Sequence, residues 1–112
     1  MKKVFCTGAA MAAALFPLAA LASGRYVTAT VYHQWYHGRP DACGGIYSDH
    51  KVSAAHPWLP CGSRVRVTHE GKSLVVPITD RCDCGSIDLS YKAAKLLGVP
   101  TDGIARVRIQ EL

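Results

Sequence analysis

Arg64-Val65-Arg66-Val67-Thr68, then Glu70-Gly71, then Leu74 to Thr79 is the stretch from which the fold can be read. Its first leg alternates charged or polar residues with valine, the period of two that puts one face of a strand in a core and the other in water. Glu70-Gly71 supplies a turn and the return leg is mostly apolar, so the segment is a β-hairpin. Pro77 has no N–H to give to a ladder, which marks an edge or a bulge in the return strand.

On the C-terminal side, Ser90 before Tyr91 to Leu97, with Gly98 and Pro100 just beyond, carries the start and stop chemistry of one short helix. Ile104 to Ile109 alternates again, with Arg106 and Arg108 expected in solvent and Ile104 out of phase with Val107 and Ile109. On the N-terminal side, Tyr26 to Tyr32 and Lys51 to Ala55 read as strands. Gln34 to Asp49, rich in Gly, His, Tyr and Pro, reads as a long surface loop of the kind that carries function. The whole is mainly β: six short strands and one helix, which leave many open edges unless the sheet closes into a small barrel.

Before the first strand, Lys2 and Lys3 precede an apolar run from Ala9 to Leu21 that ends in Ala20-Leu21-Ala22. This is the pattern of a secretory signal, residues 1–22, with cleavage expected after Ala22 and a single domain over 23–112. The run is shorter than the ~20 residues a spanning helix needs, and Cys6 lies before it rather than after, so no membrane anchor is expected. Removing Lys2 and Lys3 lowers the formal net charge from +5 to +3. The remaining Lys and Arg are scattered singly, which argues against a nucleic-acid footprint and leaves a weak attraction to anionic wall polymers. A monomer is expected.

Cys43, Cys61, Cys82 and Cys84 are an even set in a small exported domain, the composition of two disulfides. Cys82 and Cys84 stand too close to bond easily to each other, so each is expected to reach back to Cys43 or Cys61. Their spacing does not match a four-cysteine zinc site, and neither metal nor cofactor is expected.

The densest reactive cluster is Asp80-Arg81-Cys82-Asp83-Cys84-Gly85-Ser86-Ile87-Asp88, directly after an apolar strand. A carboxyl half-buried at a strand end and close to a second carboxyl has its pKa raised toward the range of a general acid. The alternative is that Asp80 accepts backbone hydrogen bonds in a turn and Asp88 organises the approach to the helix. His56 is either a satisfied histidine at a strand end or a partner that orients a carboxyl. Tyr32, Trp35, Tyr36, Tyr47 and Trp58 are many aromatics for so short a chain. Their rings either pack in the core and loops, Tyr32 and Tyr47 above all, or suit the flat C–H faces of sugars, whose hydroxyls would go to groups such as His37, Arg39, Arg81 and Asp88.

Tyr36-His37-Gly38-Arg39, Ser53-Ala54-Ala55-His56, Leu59-Pro60-Cys61-Gly62-Ser63, Arg64 to Thr68, Asp80-Arg81 and Ile87-Asp88-Leu89-Ser90 together resemble the rare lipoprotein A family. They occur in that family's order and cover nearly all of 23–112. The resemblance implies a double-psi β-barrel, shared with expansins and barwin-like proteins, and endolytic lytic transglycosylase activity on peptidoglycan glycan strands. It implies Asp80 as the catalytic acid and His56 as its essential partner. Asp88 takes the place of a second required Asp, and Thr30 that of a small hydroxyl residue lining the groove. Asp80 would protonate the leaving oxygen of the MurNAc–GlcNAc bond and then take the proton of the MurNAc 6-hydroxyl, leaving a 1,6-anhydro end. His56 would hold Asp80 and its proton.

Two departures stand out. Cys43-Gly44-Gly45-Ile46-Tyr47 lacks the Glu of the family's Asn-Gly-Glu-x-Tyr loop, and Cys82 to Ser86 replaces the residues that follow Asp-Arg. The resemblance to related barrels keeps two other readings open, an expansin-like wall-polysaccharide binder without catalysis and a barwin-like inhibitor module. The setting in every case is exported, periplasmic or extracellular.

Overall fold

The computed structural model describes residues 24–112, and the expected leader, 1–22, lies outside them. The strands are β1 (Arg25–Val31), β2 (Ala54–Ala55), β3 (Arg64–His69), β4 (Lys72–Asp80), β5 (Ile87–Leu89) and β6 (Ala105–Glu111). Helix α1 spans Tyr91–Leu97, and a 3₁₀ turn spans Gln34–Tyr36. The strands close in the order β1-β5-β2-β4-β3-β6. The β1–β5 and β2–β4 pairs are parallel, and the other neighbours run antiparallel.

The hairpin forms as its alternation requires, with β3 and β4 in register from Arg64↔Pro77 to His69↔Lys72. Glu70 and Gly71 both take positive φ (46° and 84°), the turn that matches the twist of two paired strands. Val65, Val67, Val76 and Ile78 point inward and are completely buried with Ile87 and Leu89. Ile78 to Ala should cost about 2–5 kcal/mol, because the site is closed on all sides and cannot collapse. Urea unfolding would show it as a lower midpoint with an unchanged slope.

Pro77 sits where its missing N–H is harmless. Ile78 N donates to Ser63 O on the β3 side, so the Pro77 nitrogen turns toward β2, whose pairing with β4 begins only at Ile78. Ser90 caps α1 as read: its Oγ accepts from Ala93 N, and Gly98 ends the helix at φ 70°.

Other expectations need correction. The strand expected over Lys51 to Ala55 shrinks to two residues because Ser53 is committed elsewhere: its N–H donates to Ser90 Oγ and its carbonyl accepts from Ser90 N. Strand β5 has no signature in the sequence, since three residues are too few to show a period. The long loop is clasped on itself, with Gly38 N to Tyr47 O, Tyr47 N to Arg39 O and a bridge at Pro40↔Ile46.

The cysteine pairing also differs from expectation. The bonds are Cys43–Cys61 and Cys82–Cys84, with Cα separations of 5.7 and 5.1 Å. The chain bends through Asp83 to Ser86, which returns Cys84 to Cys82 at a separation any disulfide accepts. That leaves the other pair to staple the long loop to the turn before β3.

Candidate active site

Register assembles the site. Thr30 pairs with Asp88, Asp88 with Ala55, and Ala55 with Asp80, so one row crosses β1, β5, β2 and β4. Side chains in such a row share a face. The flanking Ala29, Ile87, Leu89 and Ala54 fill the core, so this row is on the outer face. Strict alternation after the buried Ile78 would have turned Asp80 inward. Instead the register slips between Ala54↔Ile78 and Ala55↔Asp80, leaving Thr79 as the extra residue of a bulge. A one-residue slip moves a side chain to the opposite face, and here it brings Asp80 into line with Asp88. The two aspartates stand two strand spacings apart, roughly 10 Å between Cα atoms.

Three donors hold the Asp80 carboxyl. Tyr32 O–H donates to Oδ2 at 2.8 Å, and the N–H groups of Ala42 and Arg81 donate to Oδ1 at 2.8 Å each. Ala42 belongs to the long loop, which the Cys43–Cys61 bond holds in place. Tyr32 lies across Ala55, whose small side chain leaves it room, and stacks on Tyr47 with centroids 4.0 Å apart and planes 5° from parallel. Burial and the neighbouring carboxylates push both phenols far above their ordinary values, so Tyr32 stays a donor.

Asp88 accepts from Thr30 Oγ1 at 2.8 Å. Burial raises its pKa, the Thr30 bond opposes that, and the charge of Asp80 adds to it. A groove of about 310 Å³ opens on the row, walled by Tyr36 and by the Arg81 to Cys84 loop. A larger groove of about 620 Å³ adjoins it across Tyr32, lined by Thr30, Gln34, Tyr91, Asp102 and Ile104.

His56 is not in the groove. Its ring is 1% exposed, and Nδ1 accepts from the N–H groups of Trp58 and Leu59 at 3.2 Å, which puts the proton of the neutral ring on Nε2. Burial lowers its pKa; Arg25 adds to that, Glu111 opposes it, and Arg81 adds a smaller push. The ring makes no hydrogen bond to the Asp80 carboxyl, so the expected partnership is corrected to an indirect one. The His56 N–H donates to Asp80 O at 3.1 Å, and the turn that the ring holds offers the carbonyls of His56 and Leu59 to Arg81 Nη1.

The remaining candidates divide. Tyr36 is 46% exposed and stands edge-on to Tyr32; Trp35, 57% exposed, stands edge-on to Tyr36 and extends the aromatic wall. Arg39 is spent on Trp35, its guanidinium 3.4 Å above the ring and its Nε bonded to the Trp35 carbonyl. His37 Nδ1 accepts from Asp49 N, and Tyr47 bonds Asp49 and Tyr91, so these two build the loop. Trp58 stands exposed beside His56, outside the groove lining. Ala55, Cys82, Asp83 and Cys84 line the groove without having been singled out for it, since no spacing rule marks a residue selected for being small or for its place in a bend.

Where the loop Glu is missing, Gly45 packs on Asp41: its N–H donates to Oδ1 at 2.8 Å, and a Cβ there would meet Oδ2 at 3.0 Å. Among the described residues, no group of three or more His, Cys, Asp or Glu is arranged to hold a metal. No described helix is long and apolar enough to cross a membrane.

The family profile described as "Lytic transglycolase" matches residues 28–109. An uncharacterized Synechocystis protein is 46% identical over 87 residues, covering 76% of this chain and 96% of the relative. The endolytic peptidoglycan transglycosylases RlpA of Haemophilus influenzae and Pseudomonas aeruginosa are 40% and 43% identical over 89 and 88 residues, or 75% and 74% of this chain. The chain spans only 31% and 26% of those two proteins. Among solved structures, the Streptomyces papain inhibitor superposes with a TM-score of 0.64 at 23% identity, covering 80% of this chain and 94% of the inhibitor. An expansin of Clavibacter michiganensis in complex with cellohexaose also superposes at 0.64, with 20% identity, 80% of this chain and 50% of the expansin. With its closed six-stranded barrel, the cross-strand Asp row and the profile match over most of its length, the chain belongs to the RlpA-like double-psi β-barrel family of lytic transglycosylases.

Proposed function

We propose that this domain is an endolytic peptidoglycan lytic transglycosylase acting on the MurNAc–GlcNAc bond of glycan strands. The observation that carries the reading is the row Thr30–Asp88–Ala55–Asp80: two carboxyls on one outer face, one held by Tyr32 and the other by Thr30, open to an aromatic-walled groove. The geometry favours a division of labour over a single Asp acting twice. Asp88, whose burial favours its protonated form, gives the proton to the leaving oxygen as the C1–O bond breaks. The MurNAc 6-hydroxyl closes on C1, and its proton passes to Asp80, whose oxygens are already arranged as acceptors. No water enters, the product is a 1,6-anhydro end, and the two carboxyls return to their starting states by proton exchange with solvent.

His56 is a positioning residue here, acting through the turn that anchors Arg81. An exported setting, periplasmic or extracellular, fits two disulfides in a domain this small.

One observation favours a second reading, an expansin-like binder that does not cleave: Gly45 replaces an acid of the loop, and the expansin it superposes on was solved with a glucan. Incubation with denuded glycan strands separates the two. Anhydro ends detected by mass spectrometry support the transglycosylase, whereas retention on the strands without new ends supports the binder. Tyr32→Phe keeps the stack on Tyr47 and loses the bond to Asp80. A hydrogen bond to a charged group contributes about 1.5–3 kcal/mol, so the rate of end formation should fall roughly ten- to a hundredfold. Initial rates measured well below the unfolding transitions of both proteins would check it, since the lost bond also lowers the melting temperature.

A further inference from the structure

We propose that the outer face of β3 and β6 is a docking strip for a linear phosphodiester polymer of the cell wall, formed by Arg64, Arg66, Arg108 and Arg106. In sequence these cations are two separate pairs. In the barrel, β3 and β6 are antiparallel neighbours with Arg66↔Gln110 and Thr68↔Arg108 in register. Val65, Val67, Val107 and Ile109 point into the core, at most 1% exposed, so the arginines between them project outward.

The register then sets their order along the barrel. Arg64 and Arg66 occupy successive outward levels of β3, Arg108 stands at the next level on β6, and Arg106 at the one after. Two residues of strand rise about 7 Å, so the four charges form one row about 20 Å long.

No carboxylate neutralises this row among the described residues. Glu111 faces Arg25 at 3.8 Å, and Glu70, at the far end, lies 3.8 Å from His69 Nε2. The other outward positions of β1, β3 and β6 are Tyr26, Thr28, Thr30, Thr68 and Gln110, all without charge. The strip shares no residue with the Asp groove: none of its four arginines lines that groove, Asp88 is on β5 across the barrel from β3, and Asp80 on β4 stands three residues beyond Pro77, the partner of Arg64. It therefore stands independently of the proposed reaction.

The chemistry selects the partner. Guanidinium forks match phosphate oxygens in pairs, and an evenly spaced row favours a chain with one charge per short repeat over a lone anion. A membrane surface fits less well, because an interfacial anchor needs a continuous apolar face to bury, and here the exposed apolar side chains are Tyr26, beneath Arg106, and Ile104 and Leu112 at the two ends of the strip, with the charges between them. Single-stranded nucleic acid fits poorly too, because its bases need several aromatic platforms. A polyol phosphate of the wall requires neither.

The test is binding of the full chain to labelled poly(glycerol phosphate) across a salt series. Engagement of four phosphates predicts a log–log salt slope of about −3, using the single-strand coefficient. The Arg66→Gln/Arg106→Gln/Arg108→Gln variant should bind at least tenfold more weakly with a much flatter slope, at an unchanged unfolding midpoint. The corresponding triple Arg→Lys variant should retain the slope. Asp80→Asn should bind the polymer like the parent, which keeps this result separate from the fate of the proposed reaction. Equal affinity of parent and Gln variant would overturn the proposal, as would tighter binding to an oligonucleotide or to phosphatidylglycerol vesicles than to the polymer.

Discussion

Asp80→Asn is expected to lower the release of anhydro ends from denuded glycan strands by roughly 10²–10⁴-fold, the range that a positioned acid–base group contributes. The substitution is close to isosteric, and an Asn oxygen in the Oδ1 position can still accept from Ala42 N and Arg81 N. The long loop should therefore stay docked, and the melting temperature should move little. What is lost is a carboxylate able to take the 6-hydroxyl proton. Mass spectrometry of the sugar ends, with glycan retention measured alongside, reads both aspects. Ends produced at the parental rate would remove Asp80 from the chemistry, and lost retention would make it a binding residue.

Asp88→Asn is expected to abolish turnover to a similar extent while making the protein more stable at neutral pH. The sign follows from burial: Asp88 has a folded pKa raised above its ordinary 3.8. Below 3.8 both states hold the proton and the carboxyl adds no pH-dependent penalty. As pH rises from there through the raised folded value, the unfolded chain ionises first and the fold is progressively penalised. Asn carries no charge and keeps an acceptor for Thr30, so its advantage over Asp should widen from acid to neutral pH. Urea titrations of the two proteins at the two ends of that range would measure it. An advantage that is absent or independent of pH would mean that Asp88 is well solvated, and it would lose its role as proton source. With Asp88 as the proposed proton source, the same titration is expected to set an alkaline limb in the rate profile of the parent protein, since an ionised Asp88 has no proton to give.

The β3–β4 hairpin, the Ser90-to-Gly98 helix and the inward valines were legible because each depends on neighbours a few residues away. Period two, a turn pair with positive φ, and a cap are local chemistry. Asp80 is legible as a candidate at the end of an apolar run, and Asp88 through the reactive cluster that follows it and the motif it completes. A direct partnership of His56 with the Asp80 carboxyl is the expectation that the structure corrects. From sequence its ring could have turned to the carboxyl or to its own turn, and the N–H groups of Trp58 and Leu59 decided for the turn.

The cysteine pairing departs from expectation for a related reason. Separation along the chain constrains a disulfide only until a bend brings the two Cα atoms together, and the bend from Asp83 to Ser86 did so.

The amino-acid order alone determined a small mainly β domain with a closed sheet, one capped helix, paired cysteines and two acids after an apolar strand. Tertiary structure alone decided which face those acids occupy. The slip between Ala54 and Ala55 against Ile78 and Asp80 is a property of two strands meeting, absent from either segment by itself. The same holds for the arginine row, where two scattered pairs become one line only through the β3–β6 register. Side-chain period is a local quantity, whereas register is set by closing the barrel, and in this protein register makes the site.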